Sequence, residues 1–165
     1  MTLASLNALD RDQFVGALGW IFEDSLWVAE RAWERRPFIS VDHLYATMVS
    51  VVAGADEREQ LGLLRAHPDL GTRARMSDAS VGEQTGAGLD ALSQEEFERL
   101  QQLNRAYREK FGFPFLLAVK GSTKHDVLAS LAVRVHHRTE REYAEALRQV
   151  ARIAQFRLRE LIRDA

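Results

Sequence analysis

The sequence predicts an all-α fold, and three observations carry that prediction. No stretch sustains the two-residue alternation of a half-buried strand, whereas apolar residues recur every three or four positions through most of the chain. Its three prolines, Pro37, Pro68 and Pro114, all fall at breaks between those helical patterns. Residues of the type that cap helix N-termini, among them Asp10, Ser40, Ser80 and Ser93, stand just ahead of apolar-periodic runs. The 165 residues fit a single-domain bundle of about seven to eight helices over residues 1–165. A chain of that size buries roughly 68–70% of its unfolded surface.

Asp10 with Gln13 resembles an N-cap and its partner, and opens a helix that carries Phe14, Leu18 and Ile21. A second, over about 24–35, places Leu26, Trp27, Ala29 and Trp33 in a wide apolar stripe before Pro37. Ser40 caps a third, with Leu44, Met48, Val51 and Val52 on one face, ending near Gly54. The fourth, 57–66, must stop at His67, because proline disfavours the α region for the residue before it. That leaves the His67 ring projecting from a helix C-terminus in extended backbone. Ser80 and Glu83 have the spacing of a capping box, which predicts a helix start there. Ser93 and Glu96 repeat it and open a long helix to about Phe111. A further helix runs from about Lys124 to His137, through Val127, Leu128, Leu131 and Val135. Thr139 begins the last, which continues to about Ile162. Between the long helix and Lys124, the apolar run 111–121 carries Pro114 and has no second strand to pair with. It reads as extended or distorted helical, with backbone N–H and C=O groups open to a ligand.

Composition removes several classes of function. Hydrophobic residues at 46% and charged residues at 28% are ordinary for a soluble globular protein. A net charge of -2 provides no basic face for nucleic acid. With no cysteine, disulfides, thiolate metal sites and a Cys nucleophile are excluded. No apolar run approaches the ~18 residues of a membrane span, and the N-terminal residues lack the basic and apolar regions of a secretory signal. The C-terminal residues are not a peroxisomal tripeptide. Cytoplasm is the default expectation.

Two helices carry a polar residue on the apolar face. In the long helix, Phe97, Leu100, Tyr107 and Phe111 form the stripe and Asn104 lies in its middle. A buried amide without partners costs about 1–3 kcal/mol, so Asn104 is expected to hydrogen-bond, a neighbouring loop being one candidate. In the last helix, Tyr143, Leu147, Val150, Ala154 and Leu161 share a face while Arg148, Arg152, Arg159 and Arg163 point the opposite way. Arg157 falls about 20° from Val150, on the apolar side. A guanidinium cannot be deprotonated, so burial demands a partner: a protein carboxylate, or an anionic ligand held bidentately.

The only place where a histidine, a carboxylate, a hydroxyl and an amide gather among glycines is the stretch from His67 to Leu89. It opens with His67-Pro-Asp-Leu-Gly and closes with Ser80-Val-Gly-Glu-Gln-Thr-Gly-Ala-Gly-Leu89. Gly86 and Gly88 each cost roughly 1 kcal/mol in a helix interior, and glycines so placed often mark a close approach to the backbone. Glu83 is either a cap or part of a site. No metal site is expected: His136 and His137 diverge by ~100° on a helix, and His43 and His125 have no ligand partner at a recognised spacing.

His67-Pro-Asp-Leu-Gly, Ser80-x-x-Glu83-Gln84-x-x-Ala87-Gly88-Leu89, Leu103-Asn104-x-x-Tyr107, Phe111-Gly-Phe-Pro-Phe115 and Arg157-Leu158 occur in this order. Together they resemble the 2-oxo-4-hydroxy-4-carboxy-5-ureidoimidazoline (OHCU) decarboxylase family of urate degradation, over nearly the whole chain. Lys120 departs from the pattern, standing where arginine is common. The resemblance implies an all-α homodimer in the cytoplasm that uses no cofactor and no metal. Its small-molecule substrate is OHCU, which loses CO2 to become (S)-allantoin. Carried over residue by residue, the resemblance makes His67 the catalytic residue, Glu83 its acidic companion and Arg157 a ligand-binding cation. Pro68, the turn of Ser80, Val81, Gly82, Glu83 and Gln84, and the backbone of Phe115, Leu116, Leu117, Ala118 and Val119 then line the substrate pocket. On this reading the free protein tolerates the Arg157 charge beside a solvated cleft.

Overall fold

A computed structural model describes residues 1–72 and 76–165 of the chain. Among the described residues it is helical, with no strand. In order, the helices are α1 (Leu3–Asn7), α2 (Arg11–Leu18), α3 (Leu26–Trp33), α4 (Val41–Ala53) and α5 (Glu57–Ala66). They continue with α6 (Asp78–Gly86), α7 (Gln94–Phe111), α8 (Lys124–Arg134) and α9 (Thr139–Leu161). The chain divides into two compact units, Met1–Ala66 with Ala151–Ala165, and His67–Val150. Helix α9 supplies its first half to the second unit and its remainder to the first.

The first unit follows the predicted caps. Asp10 accepts from the Gln13 N–H and Gln13 returns the bond, so α2 opens on a full capping box. Ser40 accepts from the His43 N–H at the head of α4. Phe14, Leu18, Val28, Leu44 and Met48 are fully buried. Ile21, expected on the first helix, is buried beyond its end, because α2 stops at Leu18 and the chain turns before α3. The two chain ends are tied together: Leu3 N–H donates to Arg163 O at 2.8 Å, and Arg163 N–H to Met1 O at 3.0 Å.

The second unit is built around Tyr107. Its ring lies 4.4 Å from that of Phe111, 5.4 Å from Phe115 and 6.0 Å from Phe113, centroid to centroid. Tilted and edge-on ring pairs of this kind add to the burial of their area. Its hydroxyl donates to Glu142 Oε1 at 2.6 Å. Burial first, and then the bond and charge of Glu142, push the phenol pKa far up. Glu142 has no exposed surface, and it also receives Arg134 Nε at 2.9 Å and faces His137 Nδ1 at 2.9 Å. Three side chains, from α7, α8 and the α8–α9 turn, thus share one buried carboxylate on α9.

Helix α7 opens on the predicted Ser93–Glu96 capping box. It closes at Gly112, whose φ of 79° is left-handed backbone that favours glycine. The run that follows belongs to neither a helix nor a strand. Helix α8 ends at Arg134, short of the predicted His137, because the chain turns at 135–137 to begin α9.

The buried face of α9 departs from prediction. Ala146, Val150, Ala154 and Leu158 are buried together with Glu142, Gln149 and Arg157, while Tyr143, Leu147 and Leu161 are only half-buried. Counting apolar residues alone turned the predicted stripe away from three polar side chains that sit at its centre because each has a partner. Arg148, Arg152, Arg159 and Arg163 are exposed, as predicted.

Removing the shared carboxylate strands a buried guanidinium. Glu142→Ala is expected to lower the unfolding free energy by about 3–5 kcal/mol, read from urea denaturation. A surface pair behaves differently. Glu96 accepts from Lys124 Nζ at 2.7 Å, and that bond, with the Ser93 N–H, holds its carboxyl from the ordinary 4.5 down to about 2. A depressed folded value means stability that is present above pH 4.5 and lost as pH falls through about 2. The gap in urea midpoint between wild type and Glu96→Gln should therefore shrink over that window and vanish below it.

Candidate functional site

Helix α5 ends at Ala66, and His67 stands immediately after it, where Pro68 demands the break. His67 is buried, at 6% exposure, and Pro68 is half-buried. The residues after it are held one by one. Asp69 Oδ1 accepts from Arg108 at 3.0 Å, and Leu70 O accepts from Asn104 Nδ2 at 2.9 Å. Gly71 N–H donates to Gln84 Oε1 at 2.8 Å. Gly71 has a φ of +70°, and a Cβ there would come within 2.4 Å of Leu100 Cδ2, so only glycine fits this turn. The predicted bond between Asn104 and a neighbouring loop is thus found, and the loop is the one that carries His67. A cleft of about 250 Å³ borders it, lined by Asp69, Leu70, Gly71, Thr72, Asn104 and Arg108 among others. Neither His67 nor Glu83 lines it.

Glu83 lies on α6, half-buried. The cap there is not the predicted one. Ser77 is the N-cap and accepts from the Ser80 N–H, so Ser80 is the third residue inside the helix and is buried. Ser77 sits three residues upstream, with Asp78 in the first turn to favour the helix dipole, and it outcompetes Ser80 for the role. The capping reading of Glu83 falls with this correction, and the helix start moves three residues upstream. Of the glycines, Gly88 has a φ of +79°, which ends the helix in left-handed backbone. Gly82 and Gly86 face open space, where a Cβ would meet no protein atom within 4 Å. Gln84 is buried beside Glu83, and its bond to Gly71 fastens the helix of Glu83 to the loop of His67.

In the segment after α7, Phe115, Leu116, Ala118 and Val119 are buried and Leu117 is half-buried. Two of its backbone groups are held by side chains. Arg134 Nη1 donates to Leu116 O at 2.7 Å, and the Ala118 N–H donates to Gln149 Oε1 at 3.0 Å. Sequence reasoning missed Arg134, Glu142 and Gln149. The signal was available: Glu142, Gln149 and Arg157 are spaced seven and eight apart, which places three polar residues on one helix face.

Arg157 is buried at 3% exposure, as its position on the helix required. Its partner is a protein carboxylate. Arg157 Nη2 donates to Glu23 Oε1 at 2.9 Å, and Nη1 donates to Trp20 O and Ile21 O at 3.2 Å each. Glu23 is itself only 6% exposed. The expectation that the free protein tolerates the Arg157 charge beside a solvated cleft is therefore corrected: Glu23 and two carbonyls neutralise and solvate it. Arg157 and Glu23 belong to the first unit, His67 and Glu83 to the second.

Of the remaining histidines, two are bonded within the protein and two, His125 and His136, are exposed. His43 Nδ1 accepts from the Ile39 N–H at 3.2 Å, and His137 meets Glu142. Among the described residues, no group of three or more His, Asp or Glu side chains is placed to hold a metal ion.

In fold, the chain matches solved structures over nearly its whole length. A crystal structure of (S)-allantoin synthase superposes with a TM-score of 0.79 at 36% identity, covering 98% of this chain and 54% of that one. A crystal structure of OHCU decarboxylase in the presence of (S)-allantoin superposes with a TM-score of 0.72 at 22% identity, over 92% and 98% of the two chains. The chain belongs to the OHCU decarboxylase family, whose profile matches residues 7–159. It is 50% identical over 160 residues to the OHCU decarboxylase of Haloferax volcanii, covering 97% of this chain and 95% of that one. The mouse OHCU decarboxylase is 36% identical over 166 residues, covering 98% and 93%.

Two stability measurements test these assignments. Ser77→Ala should cost about 1 kcal/mol, the usual loss for an N-cap, whereas Glu83→Gln should leave the melting temperature nearly unchanged. Arg157→Met should cost about 3–5 kcal/mol in urea unfolding by leaving Glu23 buried and unpaired. Adding Glu23→Gln to that variant should recover part of the loss.

Proposed function

We propose that this chain catalyses the decarboxylation of OHCU to (S)-allantoin in the breakdown of urate. The single observation that carries the proposal is the 50% identity, over nearly the full length of both chains, to an enzyme named for that reaction. The helical fold and the buried histidine beside a helix-ending proline agree with it.

The reaction asks little of the protein beyond positioning. The bond to the carboxylate breaks, CO2 leaves, and the electron pair passes into the adjacent unsaturated ring, which spares a cofactor electron sink. One proton is taken up on one face, because the product is a single enantiomer. Interactions that strengthen as charge develops on the ring lower the barrier most. In this proposal His67 hydrogen-bonds the substrate hydroxyl and takes part in proton transfer, and Glu83 orients ureido or ring N–H groups. Pro68, the Ser80–Gln84 part of α6 and the Phe115–Val119 backbone line the pocket. For Gln84 the contribution is its main chain, since its side-chain oxygen is engaged by Gly71. Arg157 keeps the role of ligand-binding cation from the family resemblance alone, with Glu23 holding the guanidinium in place. The proposal extends, on the same resemblance, to a cytoplasmic homodimer. No helix among the described residues is long and apolar enough to cross a membrane.

The test is to add the protein to OHCU freshly generated from urate and follow (S)-allantoin by circular dichroism. Its appearance should outrun spontaneous decay. His67→Ala should abolish that acceleration while the far-ultraviolet spectrum stays helical, and Glu83→Gln should slow turnover by about 10²-fold or more. Near-wild-type turnover in both variants would reject the assigned roles.

A further inference from the structure

Arg134 and Gln149 take no part in the chemistry above, yet both are buried polar side chains aimed at the segment proposed to bind substrate. Arg134 holds Leu116 O and Gln149 holds the Ala118 N–H. Neither holder is loose. Arg134 Nε is fixed on Glu142, and its guanidinium carbon lies 4.5 Å over the ring of Phe115. Gln149 Nε2 donates to Glu145 Oε1 at 2.8 Å, which dictates that the amide oxygen, not the nitrogen, faces Ala118.

A carbonyl and an N–H two residues apart, one held by a side chain of α8 and the other by a side chain of α9, fit extended chain. There, alternate residues turn their N–H and C=O to opposite edges. Leu116 and Ala118 share the held edge, so Leu117 turns its polar pair to the other. Leu117 is also the one residue of 113–119 that is not buried. We propose that Arg134 and Gln149 are positioning residues that hold this segment so that the N–H and C=O of Leu117 meet the amide or ureido edge of the ligand. An amide or ureido edge carries an N–H beside a C=O, the complement of that backbone pair. The inference rests on the reading of 115–119 as part of the substrate pocket, and it assigns the orientation of that pocket wall to two side chains that never touch substrate.

The test compares wild type with Gln149→Met, which keeps the length of the side chain and cannot accept from Ala118. On titrating (S)-allantoin into wild type, the Leu117 amide resonance should move. Gln149→Met should bind (S)-allantoin about tenfold more weakly, and the KM for OHCU should rise by a similar factor with kcat within about twofold. Exchanging the pair, as Glu145→Gln with Gln149→Glu, returns an acceptor to Ala118 and a donor to that acceptor. Affinity should return to within about twofold of wild type, which simple loss of packing would not allow. Should Gln149→Met fail to fold, Gln149→Asn, one methylene shorter, carries the same comparison. A wild-type Leu117 amide that ignores (S)-allantoin overturns the pocket reading itself. A responsive wild type with unchanged affinity in the variant, or an exchange variant as weak as Gln149→Met, overturns the positioning role alone.

Discussion

Burying a carboxylate with no exposed surface is costly unless it has partners, and Glu142 has three at once. The consequences spread outward from that point. Tyr107 is drawn to it, and the aromatic cluster of Phe111, Phe113 and Phe115 packs on the tyrosine ring. Arg134, pinned by its Nε, has a further nitrogen to hold Leu116. The irregular segment after α7 is thereby stabilised by side chains in place of a strand partner, which explains how backbone without ladder hydrogen bonds is tolerated in a buried place.

The loop of His67 uses the same device. Three consecutive residues, Asp69, Leu70 and Gly71, are each gripped by a side chain from α6 or α7. Helices are stiff and loops are not, so a histidine on a short loop keeps its place only if the loop is fastened to helices near by. Gln84 adjoins Glu83 and Asn104 lies one turn from Tyr107, so the fastening links the two catalytic candidates to the buried centre of the unit. Such a frame suits a reaction in which the substrate carries its own electron sink and the protein chiefly fixes geometry.

Much of the site was legible because its signals are local. Pro68 ends α5 wherever the rest of the chain goes, and the Asn104 amide must bond wherever it is buried. The error at Ser80 was also local in origin: two serines three residues apart compete for one cap, and spacing alone does not rank them. Glu142, Gln149 and Arg134 were missed for a different reason. A carboxylate, an amide and a guanidinium look like solvated surface until partners from other helices are known to meet them.

The sequence by itself determined which stretches are helical, which histidine stands at a chain break, and that Arg157 needs a partner. Those are consequences of backbone sterics, capping and the cost of desolvating a charge, and each acts within a few residues. Only the tertiary structure decided that the partner is Glu23, far away in the chain, that the buried face of α9 is centred on polar residues, and that Leu116 and Ala118 are held by Arg134 and Gln149. A polar residue enters a core only where a complementary group arrives from elsewhere, and that meeting is set by packing between elements, not by any pattern along one of them.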